Sequence, residues 1–320
     1  MVILWLAPEP PVAPLTGGRE RARRMIVYLA ARHTLQLLTY AAVTEDITSL
    51  PVASVHRVPY GSRRFGAAAH RLIRRLRPDA LITQQGVTIP SFEGHVILSA
   101  HDAVTAIPPR TDRLIAVKAD DVTGVDIPVT ILPNGVDLAY WSACDAPAEV
   151  HTLLFPAALH WPPNHEGAAA FLRQGWPLMQ QRLVEAHLII AGKQPRPELV
   201  ALCERSPGVT LIPDPHDMRP LFARAAAILV PTLSPAGTRL KILQALAAGR
   251  PVVSTPAGAH GLALNDHILI SEPWSGLVDA AVRALTDTAL RSRLIENGCS
   301  LVRWYAWDHL LPVLDAAIES

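Results

Sequence analysis

Cysteine is scarce in this sequence, and the few cysteines present form no recognisable pattern. Cys144, Cys203 and Cys299 are odd in number and far apart, with no Cys-x-x-Cys pair. A disulfide framework and a zinc ribbon are therefore not indicated, and a reducing compartment is the simplest interpretation. Histidines number 13, but they form no His-Glu-x-x-His or other paired spacing. We therefore predict no metal ion and no other cofactor.

Net charge and long apolar runs are also nearly absent. The formal charge is +1, so the overall charge does not indicate a nucleic-acid partner. No segment is uniformly apolar over the length that a membrane span needs. The N-terminal run MVILWLA follows no basic stretch and is too short for a signal-peptide core. It is typical of a first buried strand, and the sequence predicts a cytoplasmic protein.

Length and composition favour two layered domains. The chain has 320 residues, of which 50% are hydrophobic and 18% charged, so a large buried core is expected and disorder is not. Short apolar runs alternate with helical patterns, which predicts an α/β fold with parallel sheets. The helical patterns include residues 19–32, 66–77, 166–181 and 238–248. The predicted strands are 2–6, 35–39, 80–83, 95–99, 113–117, 152–155, 186–191, 209–212, 226–230, 251–255 and 267–270.

A proline- and glycine-containing segment, residues 133–147, separates the two sets of strands. It has no helical period and carries an Asn-Gly turn signal. We therefore predict a first domain over 1–140 and a second over 141–305. A C-terminal helix over 306–320 is expected to cross back to the first domain.

The most informative segment is PTLSPAGTRLKILQALAAGRPVVST, residues 231–255. A strand leads through a glycine loop into a helix, so the helix N-terminus lies at the carboxyl edge of the sheet, where ligands of such sheets bind. Backbone N–H groups of Gly237, Thr238 and Arg239 would face an anion there. Arg239 and Lys241 oppose the helix dipole unless an anion neutralises them. The alternative is a solvated basic turn.

These segments, taken in order, resemble the GT-B retaining glycosyltransferases, in particular glycosyltransferase family 4. The resemblance is carried by MVILWLAPEPPVAPLTGGRERARR, ILPNGVDLAYW, FPAALHWPPNHEGAAAFLRQGWPLM, LIIAGKQP, the helix segment just described, and WYAWD. It implies two Rossmann-like domains facing a cleft. The second would bind a nucleotide-diphosphate sugar, and the first would bind a glycan or lipid-linked acceptor. The implied reaction is sugar transfer with retention of configuration, in glycan assembly.

The resemblance also assigns residues to the site. His101 would lie near the transferred sugar and act in catalysis, although a loop-capping pair with Asp102 explains it equally well. The donor would be bound by Gly17, Gly18, His160, Asn164, Gly237, Thr238, Arg239, Lys241 and Gln244. For Gly17 and Gly18 the alternative is an ordinary glycine turn, since they form no Gly-x-Gly-x-x-Gly fingerprint and an NAD site is disfavoured.

Four positions depart from the family pattern. By register the two motif glutamates fall at Ala236 and Gln244, and the Arg and Lys that follow the first donor-domain strand fall at Ala158 and Pro163. These departures favour an alternative: a catalytically impaired binding or scaffold subunit. A second alternative, a sugar-nucleotide epimerase, needs acid/base carboxylates, and no obvious pair occurs.

The first half also carries a basic cluster interleaved with apolar residues. Its arginines are Arg63, Arg64, Arg71, Arg74, Arg75 and Arg77. Peripheral docking on the anionic inner face of a membrane is one interpretation. Ordinary amphipathic helices with arginine on the wet face are the other.

Overall fold

The computed structural model describes residues 1–12, 17–42, 46–60, 64–85, 87–88, 90–101, 104, 106–142, 148–235, 239–262 and 264–319. The chain divides into two compact units. The first comprises Met1–Gly135 with Trp307–Ser320, and the second comprises Val136–Ala306.

The first unit is built on a seven-stranded parallel sheet. Its strands are β1 (Val2–Ala7), β2 (Thr34–Tyr40), β3 (Ser54–Val58), β4 (Ala80–Gln84), β5 (His95–Ser99), β6 (Arg113–Ala116) and β7 (Val129–Ile131). The helices are α1 (Gly17–Ala30) and α2 (Phe65–Leu76), and a 3-10 turn spans Ala119–Val122. The strand order β3-β2-β1-β4-β5-β6-β7 is that of a doubly wound sheet.

Strand β1 lies at the centre of this sheet and is buried on both faces. Ile3 and Trp5 pack with the apolar side of α1, while Leu4 and Leu6 pack with the apolar side of α2. Such two-sided burial is why the strand reads as a continuous apolar run in the sequence.

Two strands of this sheet, β3 and β7, were not predicted from the sequence. Both are edge strands. Strand β3 contains the half-buried His56 and the exposed Arg57, and β7 has only three residues. An edge strand needs apolar residues on fewer sides, so neither segment shows the uninterrupted apolar run that marks a central strand.

The second unit contains a six-stranded parallel sheet. Its strands are β8 (Thr152–Ala158), β9 (His187–Lys193), β10 (Val209–Pro213), β11 (Ala227–Val230), β12 (Val252–Ser254) and β13 (Leu269–Ile270). The helices are α3 (Leu138–Ser142), α4 (Pro162–Ala170), α5 (Trp176–Arg182), α6 (Pro197–Glu204), α7 (Arg219–Arg224), α8 (Leu240–Ala247), α9 (Pro256–Ala259), α10 (Ser275–Thr286) and α11 (Thr288–Val302). A π-helical turn spans Phe171–Gly175, and 3-10 turns span Asn265–His267 and Arg303–Tyr305. The order β10-β9-β8-β11-β12-β13 repeats the doubly wound pattern.

Alternate side chains of these strands enter two cores, one on each face of the sheet. Leu154 and Ile228 pack with α8, whereas Leu153 and Leu229 pack with α10. Helix α8 is therefore fixed to the sheet along one apolar side, which leaves its N-terminal turn at the carboxyl edge of β11.

The single helix predicted over 166–181 is two helices joined by the π-helical turn. Trp176 N–H donates to the carbonyl of Phe171, five residues back. Pro177 has no N–H and cannot continue the regular hydrogen bonding. Gly175 permits the wide turn, because a Cβ there would lie 2.5 Å from the Phe171 ring.

The chain ends in two helices, α12 (Trp307–Leu310) and α13 (Val313–Glu319), that belong to the first unit. Trp307, Leu314 and Ile318 join the core formed by β1 and α1. Tyr28 of α1 donates its hydroxyl hydrogen to Asp315 at 2.7 Å. Within the described residues, no helix combines the length and the apolar character needed to cross a bilayer.

Candidate functional site

The first candidate site surrounds the start of α8 in the second unit. The helix begins at Leu240 rather than at the predicted residue 238, because Arg239 has a φ of 56° and is in the left-handed conformation. A residue in that conformation cannot be part of the helix. Ala236, Gly237 and Thr238 lie outside the described residues, so their assignments to the donor site stay predictions.

Lys241 is held in a defined position by two neighbouring elements. Its Nζ donates to Oδ1 of Asn164 at 2.8 Å and lies 4.7 Å from the centre of the Phe155 ring. Asn164 in turn donates from Nδ2 to the carbonyl of Ala158 at 3.0 Å. The contacts therefore join the start of α8 to the first turn of α4 and to the end of β8.

The charge of Lys241 is not balanced by a carboxylate within the ranges that the structure describes. Burial, and secondarily the positive charge of Arg239, lower the pKa of Lys241 to about 7. An ammonium group in this setting gains from a bound anion, since the anion supplies the opposite charge that no described residue provides.

Arg239 is anchored differently. Its Nε donates to the carbonyl of His260 at 3.1 Å, and Nη2 donates to the carbonyl of Ala257 at 2.9 Å. Burial lowers the pKa of the guanidinium. Arg239 therefore ties the start of α8 to α9 and adds positive charge beside Lys241.

The remaining predicted residues of this unit lie around the same two elements. Gln244 is half-buried on α8, three residues after Lys241 and hence on the same side of the helix. His160 has an exposed side chain, and its carbonyl accepts from Nη2 of Arg196 at 3.0 Å. The structure thus brings Lys241 and Asn164 into contact, with Arg239 interacting electrostatically with Lys241, while it shows no contact of the His160 ring with them.

The second candidate site lies in the first unit. Gly17 and Gly18 form the first turn of α1, and His101 follows β5. A Cβ at Gly18 would lie 3.3 Å from Cδ2 of His101, so the absence of a side chain lets the imidazole approach the backbone of the helix start. The two features were predicted separately and are brought together here. Asp102, the alternative partner of His101, is not among the described residues.

No group of three or more His, Cys, Asp or Glu side chains within the described ranges could hold a metal ion. That the protein needs no metal ion for its function stays a prediction.

Comparison with known proteins connects the second unit to a family. Residues 150–287 match the family model of Glycosyl transferases group 1. The matched range runs from just before β8 to just after α10, so it includes Lys241, Asn164, Arg239, Gln244 and His160. No curated protein gives a sequence match.

Solved structures share the architecture over nearly the whole chain. A glycosyltransferase from Rickettsia africae has a TM-score of 0.77 and 14% identity, covering 99% of this chain and 97% of that one. Anabaena HepE in complex with UDP-glucose has a TM-score of 0.75 and 15% identity over 100% of both chains. WaaG, a glycosyltransferase involved in lipopolysaccharide biosynthesis, has a TM-score of 0.70 and 17% identity over 98% of both. The fold is therefore GT-B, with two Rossmann-like domains.

One contributor to the first site is not predicted by the sequence. Phe155 is predicted only as a residue of a buried strand, but its ring centre lies 4.7 Å from Nζ of Lys241. No local pattern relates Phe155 to Lys241, because the two residues are far apart along the chain.

Proposed function

We propose that the protein is a glycosyltransferase that takes a sugar from a nucleoside-diphosphate donor and transfers it to a glycan or a lipid-linked acceptor. The observation that carries the proposal is Lys241, an ammonium group held by Asn164 at the carboxyl edge of a doubly wound sheet with no carboxylate partner among the described residues. The match to the group 1 family and the UDP-glucose complex of Anabaena HepE support a nucleotide sugar as the ligand.

In the proposed reaction the bond between the anomeric carbon and the donor diphosphate breaks, and an acceptor oxygen bonds to that carbon. The acceptor hydroxyl proton passes to the departing diphosphate. Lys241 and Arg239 would stabilise the negative charge that develops on the leaving oxygen, which lowers the barrier because the charges are already in place. We propose retention of configuration and membership of family 4, on the ordered motifs of the sequence.

His101 is proposed to act from the first unit, donating to or accepting from a sugar hydroxyl. Its position against Gly18 keeps the imidazole at the N-terminal turn of α1, where backbone N–H groups also point outward. Neither a metal nor a cofactor takes part in this proposal, because the leaving diphosphate has cationic partners from the chain itself. We further propose a cytoplasmic protein with peripheral contact at the inner membrane face.

A binding or scaffold subunit is the second candidate. Gln244 carries no charge where the family pattern has a glutamate, and Ala158 offers no side-chain donor. Such a protein would bind the donor weakly and would not turn it over.

Calorimetric titration with a panel of nucleotide sugars tests the proposal. The wild type should bind one of them saturably, and Lys241→Met should weaken that binding at least tenfold, since charge-assisted hydrogen bonds contribute about 1.5–3 kcal/mol each. Lys118→Met is the matched control, because Lys118 pairs with Asp121 at 3.6 Å in the first unit. Turnover of the donor, measured with and without added acceptor, separates the enzyme from the scaffold. No saturable binding at millimolar donor would contradict the proposal.

A further inference from the structure

Helix α1 buries an arginine that forms no ion pair with any described residue. Arg21 is 2% exposed and lies one turn after the helix start. Its Nη1 donates to the carbonyls of Leu132 at 2.7 Å and Pro133 at 3.3 Å. Nε and Nη2 are buried, and neither finds a hydrogen-bond partner within the described ranges. Among the described residues, only one of the three guanidinium nitrogens therefore has hydrogen-bond partners.

Among the residues that the structure describes, no acidic side chain offsets the burial of Arg21. None of the ion pairs between described residues includes it, and desolvation lowers its pKa to about 9. The group is still protonated at neutral pH. A buried cation without an opposite charge is strongly unfavourable, so such groups are normally paired or bind an ion.

A second unsatisfied side chain follows directly after the segment that Arg21 contacts. Asn134 is 4% exposed, and both Nδ2 and Oδ1 are without partners in the described part of the chain. Trp307 covers the next residue, since a Cβ at Gly135 would lie 2.6 Å from its ring. Its Nε1 is likewise buried and unpartnered there. The unsatisfied atoms therefore belong to Arg21, which contacts residues 132 and 133, to Asn134, and to Trp307, which covers Gly135.

The chemistry of these atoms selects the ligand. Nε and Nη2 of Arg21 and Nδ2 of Asn134 present five N–H hydrogens by the ordinary valence of these groups, against the one acceptor Oδ1. A water molecule would itself bring two donors, whereas an anion only accepts and also balances the guanidinium charge. Because Arg21 and Asn134 are almost fully buried, a monatomic ion suits the site better than a phosphate.

We propose that Arg21 and Asn134 hold a buried monovalent anion of the size of chloride in the core of the first unit. The ion completes the hydrogen bonding of both side chains and fixes residues 132–135 against α1. This segment leads from the first unit into the second, so the ion sets the conformation of the connection. The proposal is independent of the sugar-transfer reaction.

Crystals of the full chain grown with sodium bromide in place of chloride provide the direct test. An anomalous difference peak is expected within hydrogen-bond distance of the Arg21 guanidinium and of Nδ2 of Asn134. A peak without anomalous signal, or no peak, shows water or nothing at the site and overturns the proposal. This measurement uses the wild type and does not depend on a variant that folds.

Thermal unfolding distinguishes a functional ion from an adventitious one. Replacing gluconate by chloride at constant ionic strength, up to about 200 mM, should raise the wild-type Tm by about 3 °C, as expected for a ligand bound only by the folded state. Arg21→Met and Asn134→Ala should lose this dependence. Arg24→Met should keep it, because Arg24 lies on the same helix but pairs with Glu20 at 2.7 Å. A wild-type Tm that is insensitive to chloride means an adventitious ion only, and overturns the proposal even if bromide is seen.

Discussion

If Lys241 binds the donor diphosphate as proposed, its lowered pKa makes donor binding depend on pH in a defined direction. In the free protein the pKa is about 7, because burial and Arg239 disfavour the charged form. A bound diphosphate adds negative charge beside the ammonium and raises the pKa again. Binding then takes up a proton whenever the pH lies above the free-state pKa and below the bound-state pKa. Affinity must therefore fall as the pH rises through this interval.

The size of the effect follows from linkage. One proton taken up per ligand corresponds to a limiting tenfold loss of affinity per pH unit. Between pH 7 and about 8.5 the free lysine passes from half protonated to mostly neutral, and we expect a loss of roughly tenfold over that interval. The charge of Arg239 stays constant over this range, so it does not contribute to the slope.

Calorimetry with a nucleotide sugar measures this slope without interference, since its diphosphate has no terminal phosphate that titrates near pH 6. Titrations in two buffers with different ionisation enthalpies count the protons taken up directly. Lys241→Arg should bind with little pH dependence, because arginine stays charged throughout, and Lys118→Met should keep the wild-type slope. Wild-type affinity that is constant from pH 6.5 to about 8.5 would refute the assignment of Lys241 to the phosphate site.

Three further predictions use other parts of the molecule. Gln244→Glu should raise donor affinity several-fold by restoring a charge-assisted bond to ribose hydroxyls, as measured by the same titration; unchanged affinity would place the ribose elsewhere. Gly18→Ala should displace the His101 ring, because Cδ2 of His101 would lie 3.3 Å from the new Cβ. Turnover should fall, while the donor affinity of the second unit and the Tm change little. Turnover equal to that of the wild type would show that His101 takes no part in the reaction. Replacing the exposed Arg71, Arg74 and Arg75 of α2 by Gln should reduce sedimentation with vesicles that contain anionic lipid, by about 1 kcal/mol per arginine, and equal sedimentation would show that this face does not dock on membranes.

The central strands could be predicted from the sequence because burial on both faces leaves a local signature. Strand β5 begins and ends where the apolar run His95–Ser99 does. The edge strands β3 and β7 could not be predicted, since their stability comes from pairing with neighbours rather than from their own composition. The start of α8 was misplaced for a related reason. Arginine has no intrinsic preference for φ above zero, so nothing local marks Arg239 as left-handed.

The sequence assigned Arg239, Lys241 and Asn164 to one candidate site but did not predict their contacts. Arg239 and Lys241 are two residues apart, and the sequence suggested one shared role for them. The structure gives them different hydrogen-bond partners, because Arg239 donates to the carbonyls of residues 257 and 260, while Lys241 donates to Asn164. These partners are distant along the chain, and no periodicity or spacing relates them. Lys241 and Asn164 come close to each other only because the doubly wound topology of the second unit brings α8 next to α4.

The contacts of Lys241 also bear on whether the candidate donor site has lost the positive charge that a diphosphate needs. The family pattern expects cations after the first strand of the second domain, at the positions of Ala158 and Pro163, and their loss favours a scaffold. Yet Lys241 Nζ lies 2.8 Å from Asn164, the residue directly after Pro163, and Asn164 is fixed to the carbonyl of Ala158 at 3.0 Å. A positive charge therefore stands at the same turn, supplied by α8 instead of by the turn itself. A diphosphate is bound by the position of a positive charge, whichever helix or strand supplies that charge. The absence of side-chain cations at Ala158 and Pro163 therefore no longer favours a scaffold. Among the described positions, the uncharged Gln244 is then the departure on which the choice between enzyme and scaffold depends.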